Sequence, residues 1–194
     1  LNLYDMEGVR FKEPKLKIMG LEAVKSSTPA PCREKLKEAI KLIMNGDEKL
    51  LNTFIQDFRE EFMSLPAEDI AYPRSCNGLK KFRGTDRLFA LGAPKHVKGA
   101  ILYNHLVDEN NLGNKYVSIQ EGDKVKFVNL RQNVYQASAF SFMTKIPKEL
   151  DILPMVDYNS QYEDSFLAPL RVITDKMKWI LKNDEVGSLE DFFG

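Results

Sequence analysis

Few side chains in this 194-residue chain have a type and spacing that could do chemistry. Its two histidines, His96 and His105, have no nucleophile placed beside them by any motif, and a Ser–His or Cys–His arrangement needs one. His96 therefore reads as a phosphate contact or a packed residue. The two cysteines, Cys32 and Cys76, lie far apart and match no zinc-type spacing, so they read as free thiols. The chain contains neither G-x-x-x-x-G-K-[ST] nor G-x-G-x-x-G, the loops that cradle nucleotide phosphates with backbone amides. Its acidic pairs, Glu60-Glu61 and Glu163-Asp164, fall inside helical patterns, where a solvated face accounts for them. No catalytic residue and no metal-ligand set is assigned within the chain.

What remains is charge, and charge is segregated. Lysine plus arginine equals aspartate plus glutamate, 28 each, so the net charge is zero. Yet between Ala71 and Leu106 seven basic residues (Arg74, Lys80, Lys81, Arg83, Arg87, Lys95 and Lys98) face only Asp86, and both histidines fall in the same stretch. Asp47 to Asp69 is the converse, with seven acids and two bases. A cluster of cations is what phosphate binding requires, because each phosphate contact releases condensed counterions without reading a base. Ser75, Asn77 and Gly78 are small enough to let backbone amides approach phosphate oxygens. The other reading of the same stretch is a solvated loop that happens to be basic.

The elements that must position these cations suggest an α+β fold. At this length the chain makes one large domain or two small ones. Tyr4-Asp5-Met6 and Val9-Arg10-Phe11 flank a Glu7-Gly8 turn, and Lys15 to Met19 alternates as an edge strand does. Ser27 or Thr28 is a candidate N-cap, with Pro29 in the first turn of a helix over Pro31 to Asn45 that carries Leu36, Ala39, Ile40 and Ile43 on one face. Gly46 ends it. Asp47 caps a second helix to about Ser64, whose broad apolar face holds Leu50, Leu51, Phe54, Phe58, Phe62 and Met63. Such a short link predicts an antiparallel pair. Residues 66–95 lose periodicity. A third helix is expected from Pro94 to about Asp108, two strands from Tyr116 to Leu130 around Glu121-Gly122-Asp123, and helical material from Tyr158 to Trp179 broken near Pro169. No run reaches the ~18 apolar residues of a membrane helix, and no secretory signal opens the chain.

The tail ends Ser188-Leu189-Glu190-Asp191-Phe192-Phe193-Gly194. One helical turn sets Leu189 beside Phe192 and Phe193, an apolar plug suited to a groove on a partner. The alternative is a tail folded back on its own core.

These features together resemble the C-terminal end of the family B DNA polymerases of T-even-type bacteriophages. The resemblance rests on Leu1 to Glu7, Glu13 to Glu22, Ser26-Ser27-Thr28-Pro29, His96-Val97-Lys98-Gly99 with Leu102-Tyr103, and the terminal Ser188 to Gly194. It runs in order along the whole chain and is vaguest from Asn133 to Tyr158. It implies short palm-derived strands in residues 1–24, a mainly helical thumb with a small β insertion in residues 25–182, and a clamp-binding tail in residues 183–194. It also implies double-stranded primer–template DNA as partner, contacted through Lys25, Ser26, Ser27, Arg74, Ser75, Asn77, Lys80, Lys81, His96 and Lys98, and a sliding clamp contacted through Leu189, Phe192 and Phe193. The family's catalytic aspartates, which hold Mg2+ for phosphoryl transfer, and a basic K-K-R-Y stretch both belong upstream of Leu1. The chain itself is thus expected to need no cofactor and to be inactive without an N-terminal polymerase polypeptide. Its start at Leu1 rather than Met agrees with a piece of a longer protein, either truncated or the C-terminal subunit of a naturally split enzyme. Where relatives carry lysine this chain has Ala168, so a thumb contact there is not carried over. The implied location is the cytoplasm of a phage-infected bacterium. Two other classes stay open: a stand-alone clamp-associated DNA-binding accessory module, and a structural interaction protein whose basic loop is incidental.

Overall fold

The computed structural model describes residues 2–4, 6–15, 18, 23, 25–85 and 87–181. The fold is α+β. Strands β1 (Asn2–Tyr4) and β2 (Arg10–Lys15) form an antiparallel pair across the expected Glu7-Gly8 turn, with Gly8 at φ +80°. Most of the expected Lys15–Met19 strand lies outside the described residues.

Helices α1 (Ala30–Met44) and α2 (Glu48–Ser64) follow as expected, joined through Gly46 at φ +77°, a conformation that costs any residue with a Cβ. Asp47 caps α2 by accepting the Leu50 N–H at 2.8 Å. The cap of α1 differs from expectation. Pro29 itself is the N-cap, with no side-chain bond, while Thr28 closes a turn by donating its N–H to the Lys25 carbonyl at 3.1 Å. The buried stripe of α2 is Leu51, Ile55, Phe58 and Phe62; Leu50, expected inside, is 49% exposed.

After the single turn α3 (Ala67–Ile70) come strand β3 (Tyr72–Ser75), the short helix α4 (Leu79–Phe82) and helix α5 (Lys95–Glu109). Strands β4 (Lys124–Asn129) and β5 (Ala139–Phe142) complete an antiparallel sheet in the order β3-β4-β5. Only one of the two strands expected from Tyr116 to Leu130 forms. Its would-be partner, the segment before Glu121, is held by α5 instead: Asn104 accepts the Ile119 N–H at 2.7 Å and donates to the Ile119 carbonyl at 2.9 Å. That amide satisfies the backbone groups a strand neighbour would otherwise have to meet.

Helix α5 lies directly on β5. A Cβ at Gly99 would sit 2.6 Å from the Ser141 backbone nitrogen and from Ser141 Oγ, so only glycine permits this approach. Ser141 Oγ then donates to the His96 carbonyl at 2.7 Å. Helix α6 (Tyr158–Tyr162), a π-helical turn at Glu163–Leu167 and helix α7 (Ala168–Thr174) follow, and a 3-10 turn at Asp175–Met177 closes the helical run. The expected break at Pro169 does not occur. The Ala168 N–H reaches back five residues to Glu163, and this widened turn carries the helix into a new first turn that contains Pro169, where a missing N–H is tolerated.

Two apolar cores result. One gathers Leu36, Ile40, Leu51, Ile55, Phe58, Phe62, Tyr162, Phe166 and Leu170 between α1, α2 and the C-terminal helices. The other packs α5 against the three-stranded sheet. Between them runs a polar seam. Buried Gln161 accepts the Asn129 N–H at 2.9 Å and donates to the Ile70 carbonyl at 2.7 Å, while the Asn129 amide donates to Ser160 Oγ at 3.1 Å and Asp164 at 3.0 Å.

Candidate nucleic-acid interface

The basic stretch is loop-rich, yet it is pinned at several points. Cys76 donates its N–H to the Asp123 carbonyl at 2.8 Å, and its carbonyl accepts from Gly122 at 2.7 Å. The Glu121 carboxylate then caps the start of α4, accepting the N–H groups of Gly78 and of Leu79, the latter at 2.9 Å. The next loop folds on itself, with Arg83 bridged to Phe89 and the Ala90 N–H donating to the Phe82 carbonyl at 2.8 Å. These bonds fix the points from which Lys80, Lys81, Arg83 and Arg87 project, and all four are exposed.

Arg74, Ser75 and His96 come together where β3 meets the first turn of α5. Arg74 donates to the Ser27 carbonyl at 3.1 Å, tying the Lys25–Thr28 turn to the sheet, and lies 5.9 Å from the Tyr72 ring centre. Tyr72 stacks on Phe127 with ring centres 5.2 Å apart, and the His96 ring is tilted against Phe127 at 6.0 Å. Burial holds the His96 pKa below the ordinary 6.5; the Arg74 charge adds to this, and a hydrogen bond with the Ser75 backbone partly offsets it. His96 is therefore a neutral imidazole near pH 7. Lys98, half-buried, rests 5.8 Å from the Phe89 ring centre. Lys95 is different: it pairs with Asp164 at 3.0 Å and Asn129 at 3.2 Å, so its charge is spent on the seam. Among the described residues, no carboxylate pairs with Lys80, Lys81, Arg83, Arg87 or Lys98.

The remaining expected contacts are distributed around this centre. Ser26 lines a cleft with Pro73 and Lys126, close to the Arg74 tie. Ser75 and Asn77 are exposed on the link from β3 to α4. One expectation changes. The Gly78 amide is not open to a phosphate oxygen, because Glu121 already occupies it. Leu189, Phe192 and Phe193 lie outside the described residues.

Two groups of residues were missed from the sequence. Lys124 and Lys126 stand opposite Ser75 and Pro73 across the β3–β4 ladder, on the sheet face away from Arg74, and the Lys126 ammonium donates to the Glu68 carbonyl at 3.0 Å. Their alternation with Val125 and Phe127 was visible, but the partner strand was not. Glu121 was read only as part of a turn. Nothing local announces that its carboxylate serves amides more than forty residues earlier.

The groups that could have done covalent chemistry are otherwise engaged. Both cysteines are buried and burial pushes each thiol pKa up to about 11, which leaves almost no thiolate at neutral pH. Glu61 pairs with Lys35, Glu163 with Arg171 and Asp164 with Lys95. Among the described residues no three His, Cys, Asp or Glu side chains converge as metal ligands. No described helix is long and apolar enough to cross a membrane.

The DNA-directed DNA polymerase of Enterobacteria phage T4 is 32% identical over an alignment of 200 residues that takes in all of this chain. That of Escherichia phage RB69 is 34% identical over 199. The chain is similar along its whole length to these two phage DNA polymerases. It spans only about a fifth of the length of those relatives, 21% of each, and matches their C-terminal part. No protein-family model matches the sequence.

Proposed function

We propose that this chain is the C-terminal part of a replicative DNA-directed DNA polymerase and that its task is to hold the primer–template duplex. In this reading residues 1–24 complete the palm, residues 25–182 form the thumb, and residues 183–194 tether the enzyme to a sliding clamp through Leu189, Phe192 and Phe193. The observation that carries it is the group of cations Lys80, Lys81, Arg83, Arg87 and Lys98, without carboxylate partners among the described residues, in a chain similar along its whole length to phage polymerases. Phosphate contacts of this kind hold a duplex of any sequence, as a replicative enzyme must. Arg74 is positioned by Ser27, and Lys98 by the close approach of α5 to β5. The one N–H of neutral His96 is given to the Ser75 backbone, so His96 donates to a phosphate oxygen only on taking up a second proton beside it. Nucleotidyl transfer is the work of an N-terminal polypeptide that supplies the Mg2+ ligands. Tethering raises the local concentration of primer terminus at that active site.

Fluorescence anisotropy with a primer–template duplex at 50 to 200 mM salt tests the grip. Replacing Lys80, Lys81 and Lys98 together with glutamine should flatten the logarithmic salt slope by roughly 2.7, at about 0.9 per phosphate contact. An unchanged slope would remove the basis for the reading. Restoration of primer extension when the chain is added to a matching N-terminal polypeptide tests the assignment to a polymerase, and a chain that is inert there belongs to another class.

A further inference from the structure

A concave surface shares Arg87 and Lys98 with the row of cations and adds aromatic rings to them. It is a groove of about 720 Å³ between the loop carrying Arg87 and Phe89, the outer side of α5 with Lys98 and His105, and a loop presenting Tyr135 and Gln136. None of its lining residues is acidic. Its cations alternate with aromatic rings, and its lips are Leu91 and Val134, exposed by 85% and 87%.

The Tyr135 loop is built to hold its shape without a regular element. The Asn133 carboxamide donates to the Arg131 and Ala137 carbonyls, both at 2.7 Å, and accepts the N–H groups of Tyr135 at 3.1 Å and Ala137 at 3.3 Å. One side chain thus satisfies four backbone groups. Gln136 is held at φ +52°, a region that a residue with a Cβ rarely enters unless its surroundings impose it. The outcome is a half-buried Tyr135 ring whose backbone cannot rearrange freely, set across the groove from Arg87 and Lys98.

Rings spaced among cations fit unpaired nucleotides: bases stack on the rings and phosphates meet the cations, whatever the sequence. Paired bases in a duplex are stacked on one another and present no free face to Tyr135. We infer that this groove binds a short stretch of single-stranded DNA, with a base on Tyr135 and flanking phosphates on Arg87 and Lys98. The groove volume exceeds that of a single nucleotide, and charge complementarity selects a polyanion over an apolar peptide for a site with apolar lips. The choice of DNA over RNA rests on the reading above that the chain works on DNA; the stacking site itself does not.

The test uses the full chain and a fluorescein-labelled twelve-residue oligothymidylate, with a duplex and an oligouridylate of equal length alongside. Tyr135→Ala should weaken oligothymidylate binding about tenfold, Tyr135→Phe should restore it, and duplex affinity should be unchanged by either. Photocrosslinking the unmodified chain to an oligonucleotide carrying 5-iododeoxyuridine should map to Tyr135 or Phe89, which needs no variant to fold. The inference is overturned if Tyr135→Ala leaves oligothymidylate binding intact, if it weakens duplex equally, or if crosslinks map elsewhere. Tighter binding of oligouridylate than oligothymidylate would overturn the assignment to DNA. Loss of duplex binding in a Lys80→Gln, Lys81→Gln variant, which leaves Lys98 in place, with oligothymidylate binding and the Tyr135 effect intact, would separate this groove from the grip proposed above.

Discussion

Gly99→Ala strikes directly at the contact between α5 and β5. The added methyl would meet the Ser141 nitrogen and Oγ at 2.6 Å and the Phe140 carbonyl carbon at 2.8 Å. Two of these three atoms are backbone of a strand hydrogen-bonded to β4, so neither can swing aside as a side-chain tip can. Restoring ordinary contact means moving α5 away from β5 by most of an ångström along the tightest interface of that core. Overpacking of this kind costs about 3 kcal/mol, and the better helix propensity of alanine returns about 1. The net loss of about 2 kcal/mol predicts a Tm lower by roughly 4–8 °C in a chain of this size. Duplex affinity should fall too, since His96 and Lys98 ride on the displaced first turn. Gly113→Ala is the control, because nothing lies within 4 Å of a Cβ there. Differential scanning calorimetry of both variants decides the matter. A Gly99→Ala melting point within 1 °C of the parent would show that glycine is not what sets the α5–β5 distance.

Three further outcomes follow from the described residues. Because the folded chain holds the His96 pKa below 6.5, the native state binds fewer protons than the unfolded one as pH falls below 6.5; stability should be intact above that value and erode beneath it. Proton NMR titration should show the low pKa directly, with Arg74→Gln raising it and added duplex raising it further; a His96 pKa of 6.5 or above in the free chain would contradict the burial seen here. Gln161→Leu should cost about 3 kcal/mol in urea denaturation, since it strands the Asn129 N–H and the Ile70 carbonyl in a dry seam; a loss under 1 kcal/mol would mean that other partners replace the amide. Cys32 and Cys76 should react with an aromatic disulfide reagent only as fast as the chain opens, and immediate labelling in native buffer would rule out their burial.

Local signals carried the helical half of the fold. Asp47 before an apolar repeat and glycine between two periodic runs place α2 and its junction with α1 within a residue or two. The sheet was harder for identifiable reasons. Strand β5, Ala139 to Phe142, is buried at every position, so it shows no alternation. The segment before Glu121 looks like a strand until Asn104, on another element, takes its backbone bonds. Leu50 fell on the expected apolar face, but the stripe turns toward Ile55. Pro169 signals a break only if the preceding turn is α-helical, and here it is a π turn. At the candidate interface the cations were legible because charge segregation is a property of composition along the chain. What was not legible was their division of labour. Lys95 is withdrawn by Asp164 and Glu121 claims the amides of α4, both pairings set by tertiary structure.

The seam between the two cores has a mechanical consequence. Apolar faces slide over one another with little change in energy, whereas the bonds of Gln161 and Asn129 are short, directed and few. A joint of this kind is stiff against small displacements and yields abruptly once water replaces its bonds. The lobe carrying the cations is therefore mounted on the helical lobe by a brittle hinge pin, so that tension on a bound strand would be transmitted without creep until the pin fails.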